Sequence, residues 1–158
     1  MERLTYPRHN GHAALRRGRS DVAQQIYHVT ITTQARNPVF SNFEAAAAAS
    51  RAFETPVFLG NATLLAWVLM PDHAHWLLQL GEGDSLATVV ARLKSASARH
   101  ANLALRRRGN VWSRAFHDHA LRHDEDVLAT ARYIIANPLR AGLVDQIGDY
   151  PFWNTIWL

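Results

Sequence analysis

The segment AWVLMPDHAHWLLQL, residues 66–80, constrains the fold of this chain more than any other. Two apolar runs, ATLLAWVLM and HAHWLLQL, are separated only by Pro71 and Asp72, a short connection that suits a hairpin of antiparallel strands. His73 and His75 sit inside the second run. Side chains two apart on a strand share a face, so His73, His75 and Leu77 point to one side and Ala74, Trp76 and Leu78 to the other. Two imidazoles at that spacing can ligate one divalent ion, each with its second ring nitrogen held by an outer acceptor. They can equally be hydrogen-bonded histidines at a core edge.

Around the hairpin, strand and helix patterns alternate. IYHVTITT sets Ile26, His28, Thr30 and Thr32 against Tyr27, Val29, Ile31 and Thr33, and predicts a strand closed by RNP. NFEAAAAASRAFE, with Ser41 as N-cap, predicts a helix ended before Pro56. After GEGD, Asp84 or Ser85 can cap a long helix to about Arg107, with Leu86, Val89, Val90, Leu93 and Ala96 as its buried stripe and Gly109 and Asn110 as its stop. VWSRAFHDHALR predicts another strand, and Asp124 caps a helix over EDVLATARYIIAN stopped by Pro138. The aromatic tail YPFWNTIWL is expected to pack back onto the body. This order is that of an α+β, ferredoxin-like split βαβ: an antiparallel sheet with helices on one face, plus an added C-terminal helix. The other sheet face, or an edge cleft, is left for a ligand.

At 158 residues the chain is read as one domain, residues 25–158, preceded by a basic arm without period over residues 1–24. No apolar run approaches the roughly 18–20 residues of a membrane span, and the N-terminus lacks the apolar centre of a signal peptide. A cytoplasmic protein is expected, associated with the nucleoid when bound to DNA, with no membrane partner. Cysteine is absent, so a metal would have to use imidazole, carboxylate, amide or water. The net charge of +4 favours a polyanionic partner, and of seventeen basic residues only Lys94 is lysine. A GC-rich genome accounts for part of that arginine bias but not for the clusters Arg16, Arg17, Arg19 and Arg106, Arg107, Arg108.

On the last helix, Val127, Leu128, Ala131, Ile134 and Ile135 gather on one side at about 100° per residue, and Asp126, Thr130, Tyr133 and Asn137 on another. Tyr133 is off the core stripe and aligned with Asn137, although Asn before Pro is also a common helix stop. A tyrosine hydroxyl, pKa about 10 unperturbed, can attack a phosphodiester if a metal polarises the phosphate. His117 and His119 form a second pair two apart. The four histidines could meet in a zinc-like hydrolytic centre, or His117 and His119 could be polar positions near a nucleic-acid groove.

VLMPDHAHWLLQL, NVWSRAFHDHALRHDEDVL and ARYIIANPLRAGLV, in this order and spacing, resemble the REP-associated tyrosine transposases, a branch of the single-tyrosine HUH (IS200-like) transposases, over about residues 27–157. The resemblance implies a ferredoxin-like domain that cuts and rejoins single-stranded DNA at hairpin-forming repetitive extragenic palindromes. It implies Mg²⁺ or Mn²⁺ on His73, His75 and Asn137, and Tyr133 as the nucleophile of a 5′-phosphotyrosine intermediate. Ala74 is the middle residue of the histidine motif. Asp72 is not assigned to the metal, and His117 and His119 are not ligands in the family pattern. The basic arm resembles a DNA-reading extension, with Arg16, Arg17 and Arg19 as candidate contacts. Arg114, Arg122 and Arg140 flank the site as further candidates, and Trp112 either stacks on an extruded base or belongs to the core. A monomer is expected, with a homodimer as the alternative, since the dimers belong to the transposon-type relatives. The alternative is a non-catalytic nucleic-acid binding module of the same fold.

Overall fold

The computed structural model describes residues 24–158 and the backbone of His9–Asn10. The arm residues Arg16, Arg17 and Arg19 lie outside the described residues. Six antiparallel strands form one sheet: β1 (His9–Asn10), β2 (Ile26–Thr32), β3 (Thr63–Leu69), β4 (His73–Gln79), β5 (His117–Ala120) and β6 (Trp153–Thr155). Their spatial order is β1-β5-β2-β4-β3-β6. The inner four strands have the ferredoxin-like arrangement, in which both strands of the central pair, β2 and β4, are flanked on both sides.

The alternation read from the sequence decides what each face buries. Tyr27, Val29 and Ile31 of β2 and Ala74, Trp76 and Leu78 of β4 face α1 (Phe43–Phe53) and α3 (Leu86–Leu105), in one core with Phe53, Leu86, Val89 and Leu93. Alanine at positions 45, 46 and 49 lets α1 approach closely, and all three are fully buried. Trp76 and Phe53, both fully buried, meet edge to face at 5.2 Å. Each such buried apolar side chain contributes about 1.5–3 kcal/mol. The opposite face carries a second, smaller core in which Ala131 and Ile134 of α4 (Val127–Ile135) pack against Leu65, Ala66, Val68 and Leu77. The added helix therefore covers only part of the face that holds the histidines. The tail returns as β6 on β3, with Phe152 buried.

Several local expectations shift. Ser41 belongs to a 3-10 turn, and Asn42 caps α1 by accepting from the Ala45 N–H at 3.0 Å. Pro56 opens a further short helix, α2 (Pro56–Leu59), consistent with its fit to the first turn. Ser85 caps α3, whereas Asp84 binds Arg92. That helix ends at Arg106, in left-handed conformation with φ 52°, before Gly109 and Asn110 are reached. The strand expected over VWSRAFHDHALR shrinks to four residues; ahead of it Trp112 pairs with Thr33 only as an isolated bridge, and Lys94 Nζ donates to the carbonyls of Ser113 and Arg114 at 2.5 and 3.1 Å. The cap of α4 is Asp126 rather than Asp124, its carboxylate accepting from Ala129. Among the described residues, no helix is long and apolar enough to cross a membrane.

Candidate nucleic-acid processing site

The register of β2 places Thr32 opposite His73, Thr30 opposite both His75 and His117, and His28 opposite Leu77 and His119. Directly paired residues share a face. His28, His73, His75, His117 and His119 thus lie on one surface, beside the patch covered by α4.

His73 and His75 stand as neighbouring rings on β4. Their rings stand perpendicular with centroids 5.1 Å apart. His73 Nδ1 is 2.8 Å from Asp72 Oδ1, and since a carboxylate only accepts, Nδ1 carries a proton, so that in the neutral ring the lone pair sits on Nε2. His75 Nδ1 lies 3.0 Å from both Thr30 Oγ1 and His28 Nε2. Nε2 of each ring makes no hydrogen bond among the described residues, which is the arrangement a histidine ligand requires. Burial, followed by the charges of His28, His73 and Arg140, pushes His75 well below the usual histidine range and keeps it neutral. Burial, then His119, brings His28 down to about 4. Asp72 is held below the ordinary carboxylate value: desolvation alone would raise it, but the His73 hydrogen bond and Arg36, 3.1 Å away, outweigh that.

Tyr133 and Asn137 follow from how α4 ends. Pro138 does not stop the chain. Ala136 keeps helical angles, and α5 (Asn137–Arg140) continues the path to Gly142. Proline lacks the N–H that would bond the Ile134 carbonyl. Asn137 Nδ2 donates there instead, at 3.1 Å, which orients the amide and leaves Oδ1 without a hydrogen bond among the described residues. Tyr133 is 58% exposed, as its off-stripe position predicts, and Arg140 lies over its ring with Cζ 3.8 Å from the centroid. Leu128, expected on the buried stripe, is 39% exposed because the sheet meets only the Ala131 and Ile134 side of the helix.

The other candidates separate from this centre. His117 is exposed and His119 lies 3.2 Å from both Glu125 oxygens, on a strand that β2 holds apart from β4. Among the described residues no three His, Cys, Asp or Glu side chains converge to hold an ion, so the four-histidine centre is not assembled. Arg114 and Arg122 are exposed. Trp112 is a core residue, buried, with its indole N–H donating to Ser97 Oγ at 2.9 Å. A cavity of about 300 Å³ lined by Glu54, Trp67 and Asn154 lies at the β3–β6 edge, away from the histidines.

Sequence reasoning passed over His28 and Thr30 and left Asp72 without a role. The signal was present: both β2 residues fall on the polar phase of IYHVTITT, but which strand would lie beside β4 is a tertiary fact.

Comparison with known proteins bears on the family and the fold. The family model for IS200-like transposases matches residues 21–137, which include both histidines, Tyr133 and Asn137. A putative REP-associated tyrosine transposase of Haemophilus influenzae is 33% identical over 98 residues, covering 56% of each chain. A REP-associated tyrosine transposase of Escherichia coli K12 is 36% identical over 87 residues, 55% of this chain and 50% of the relative. The alignments thus span about half the length of these curated relatives. A REP-associated tyrosine transposase solved with a REP hairpin has the same fold, with a TM-score of 0.63 over 85% of this chain and 79% of that one at 24% identity. With the family model matching well over half of its length, the chain belongs to the IS200-like transposase family.

Proposed function

We propose that this protein is a metal-dependent endonuclease and strand transferase for single-stranded DNA beside hairpins of the repetitive extragenic palindrome type, acting through a 5′-phosphotyrosine on Tyr133. The observation that supports this most is the paired orientation of His73 and His75, each with Nδ1 engaged and Nε2 open. Asn137 Oδ1 would be the third donor beside them, a set whose chemistry suits a divalent cation, Mn²⁺ better than Mg²⁺ because two donors are imidazole. When bound, the cation would supply electrophilic polarisation of the scissile phosphate.

The chain's own part is positioning and proton handling. Thr30, His28 and Asp72 fix the ring orientations; the rigid helix presents Tyr133. In the reaction the Tyr133 hydroxyl oxygen forms a bond to phosphorus and the bond from phosphorus to the 3′ oxygen breaks. The phenolic proton passes to solvent, and the 3′ oxygen leaves carrying a proton. The 5′ phosphate stays on Tyr133 as a diester, so rejoining to another 3′ hydroxyl requires no nucleotide cofactor. The protein acts as a monomer on hairpin DNA, and the exposed Arg114, Arg122 and Arg140 contribute phosphate contacts.

The test is incubation with Mn²⁺ and labelled hairpins from the DNA flanking the gene. Wild-type protein is expected to form a covalent adduct, and Tyr133→Phe to bind the same DNA without one. Absence of an adduct on every hairpin the protein binds would establish the binding module instead.

A further inference from the structure

Tyr133, Asn137 and Arg140 are spaced i, i+4 and i+7. At about 100° per residue they fall within roughly 60° of one another, provided the path stays helical past Pro138. It does so: the Arg140 N–H donates to the Ala136 carbonyl at 3.1 Å and the Ala141 N–H to Asn137 at 2.9 Å. Arg140 thereby sits on the same stripe as the nucleophile and the amide.

Its surroundings differ from those of the arginines that are tied down by polar partners. Arg36 pairs with Asp72, Arg92 with Asp84, and Arg107 with the Asn102 amide. Among the described residues the Arg140 guanidinium makes no hydrogen bond or ion pair, and it rests on the Tyr133 ring. Its charge is also felt at His75, so the guanidinium lies within electrostatic reach of the histidine pair. An unpaired, planar fork of donors at that position matches the non-bridging oxygens of a phosphodiester. An exposed cation–π contact is weak beside charge-assisted hydrogen bonds, so phosphate displaces it readily.

We propose that Arg140 is the phosphate-binding residue of this site: its guanidinium packs on the Tyr133 ring until DNA enters, then takes the scissile phosphate beside the attacking hydroxyl. This rests on Tyr133 as nucleophile. The exchange frees the tyrosine ring and sets positive charge where negative charge accumulates in the transition state. No electron or proton is moved by Arg140 itself.

The experiment separates this assignment from that of Tyr133. A hairpin oligonucleotide that wild-type protein cleaves is compared with the same strand bearing a neutral methylphosphonate at the scissile position. Binding is measured without metal in the Tyr133→Phe protein, whose ring keeps the stack but cannot react. The native strand is expected to bind roughly ten- to hundredfold more tightly than the methylphosphonate. Adding Arg140→Gln removes that difference, Arg140→Lys restores part of it, and Arg140→Gln alone slows adduct formation by a similar factor. If Arg140→Gln keeps the full methylphosphonate penalty, the residue only holds the ring and the assignment falls, even where adduct formation is slowed. If wild-type protein forms no adduct on any hairpin, the nucleophile reading fails and this assignment fails with it.

Discussion

Asp72 Oδ1 lies 2.8 Å from His73 Nδ1, so the residue that turns the β3–β4 hairpin also fixes the tautomer of the first histidine in the strand that follows. A neutral amide at this position can present its nitrogen as readily as its oxygen to the ring. Asp72→Asn is expected to weaken Mn²⁺ binding by about ten- to a hundredfold while leaving the circular dichroism spectrum unchanged. Titration of free Mn²⁺ by electron paramagnetic resonance reads this directly, and unchanged affinity would remove Asp72 from the supporting shell.

His117 and His119 provide the contrasting case. Alanine at either position should leave Mn²⁺ affinity within about twofold, because β2 lies between their strand and β4. His119→Ala also deprives Glu125 of a partner and should lower stability by about 1 kcal/mol. The same titration combined with thermal melts checks both. Loss of the ion from either variant would return the four-histidine centre to consideration.

The seating of α4 rests on Ile134, which is fully buried, more than on Leu128. Ile134→Ala should destabilise the protein by about 2–5 kcal/mol. Leu128→Ala, at an exposed position, should stay within about 0.5 kcal/mol of wild type. Urea denaturation of the two variants measures the difference. Equal losses would mean that the helix is rotated from the orientation described here.

Tyr150 donates its hydroxyl to the Leu69 carbonyl, tying the tail to the end of β3 just before the histidine hairpin. Burial raises its pKa to about 12 from 10.0. A raised acid binds its proton more tightly folded than unfolded, so its contribution is complete below about pH 10 and is lost as pH rises through about 12. Melting temperature should therefore fall more steeply between pH 10 and 12 in wild type than in Tyr150→Phe. Parallel curves would show that Tyr150 ionises as freely folded as unfolded.

The sequence by itself determined the main strands and helices and most of their buried faces, because period-two and period-3.6 burial are local properties of the chain; the short elements β1, α2 and β6 were not legible in it. The alternation of IYHVTITT and HAHWLLQL separated Val29, Ile31, Ala74 and Trp76 from His28, Thr30, His73 and His75, and the structure keeps that division. The off-stripe position of Tyr133 was legible in the same way. Boundaries were less so, since caps such as Asn42 and Asp126 are chosen by the backbone angle of a single residue. Only the tertiary structure decided which polar groups meet. Strand order brings His28 and Thr30 against His75 and keeps His119 away from it, and the continuation of helix through Pro138 swings Arg140 onto Tyr133. Such contacts depend on strand neighbours and helix seating, which are set by long-range packing that no short stretch of sequence encodes.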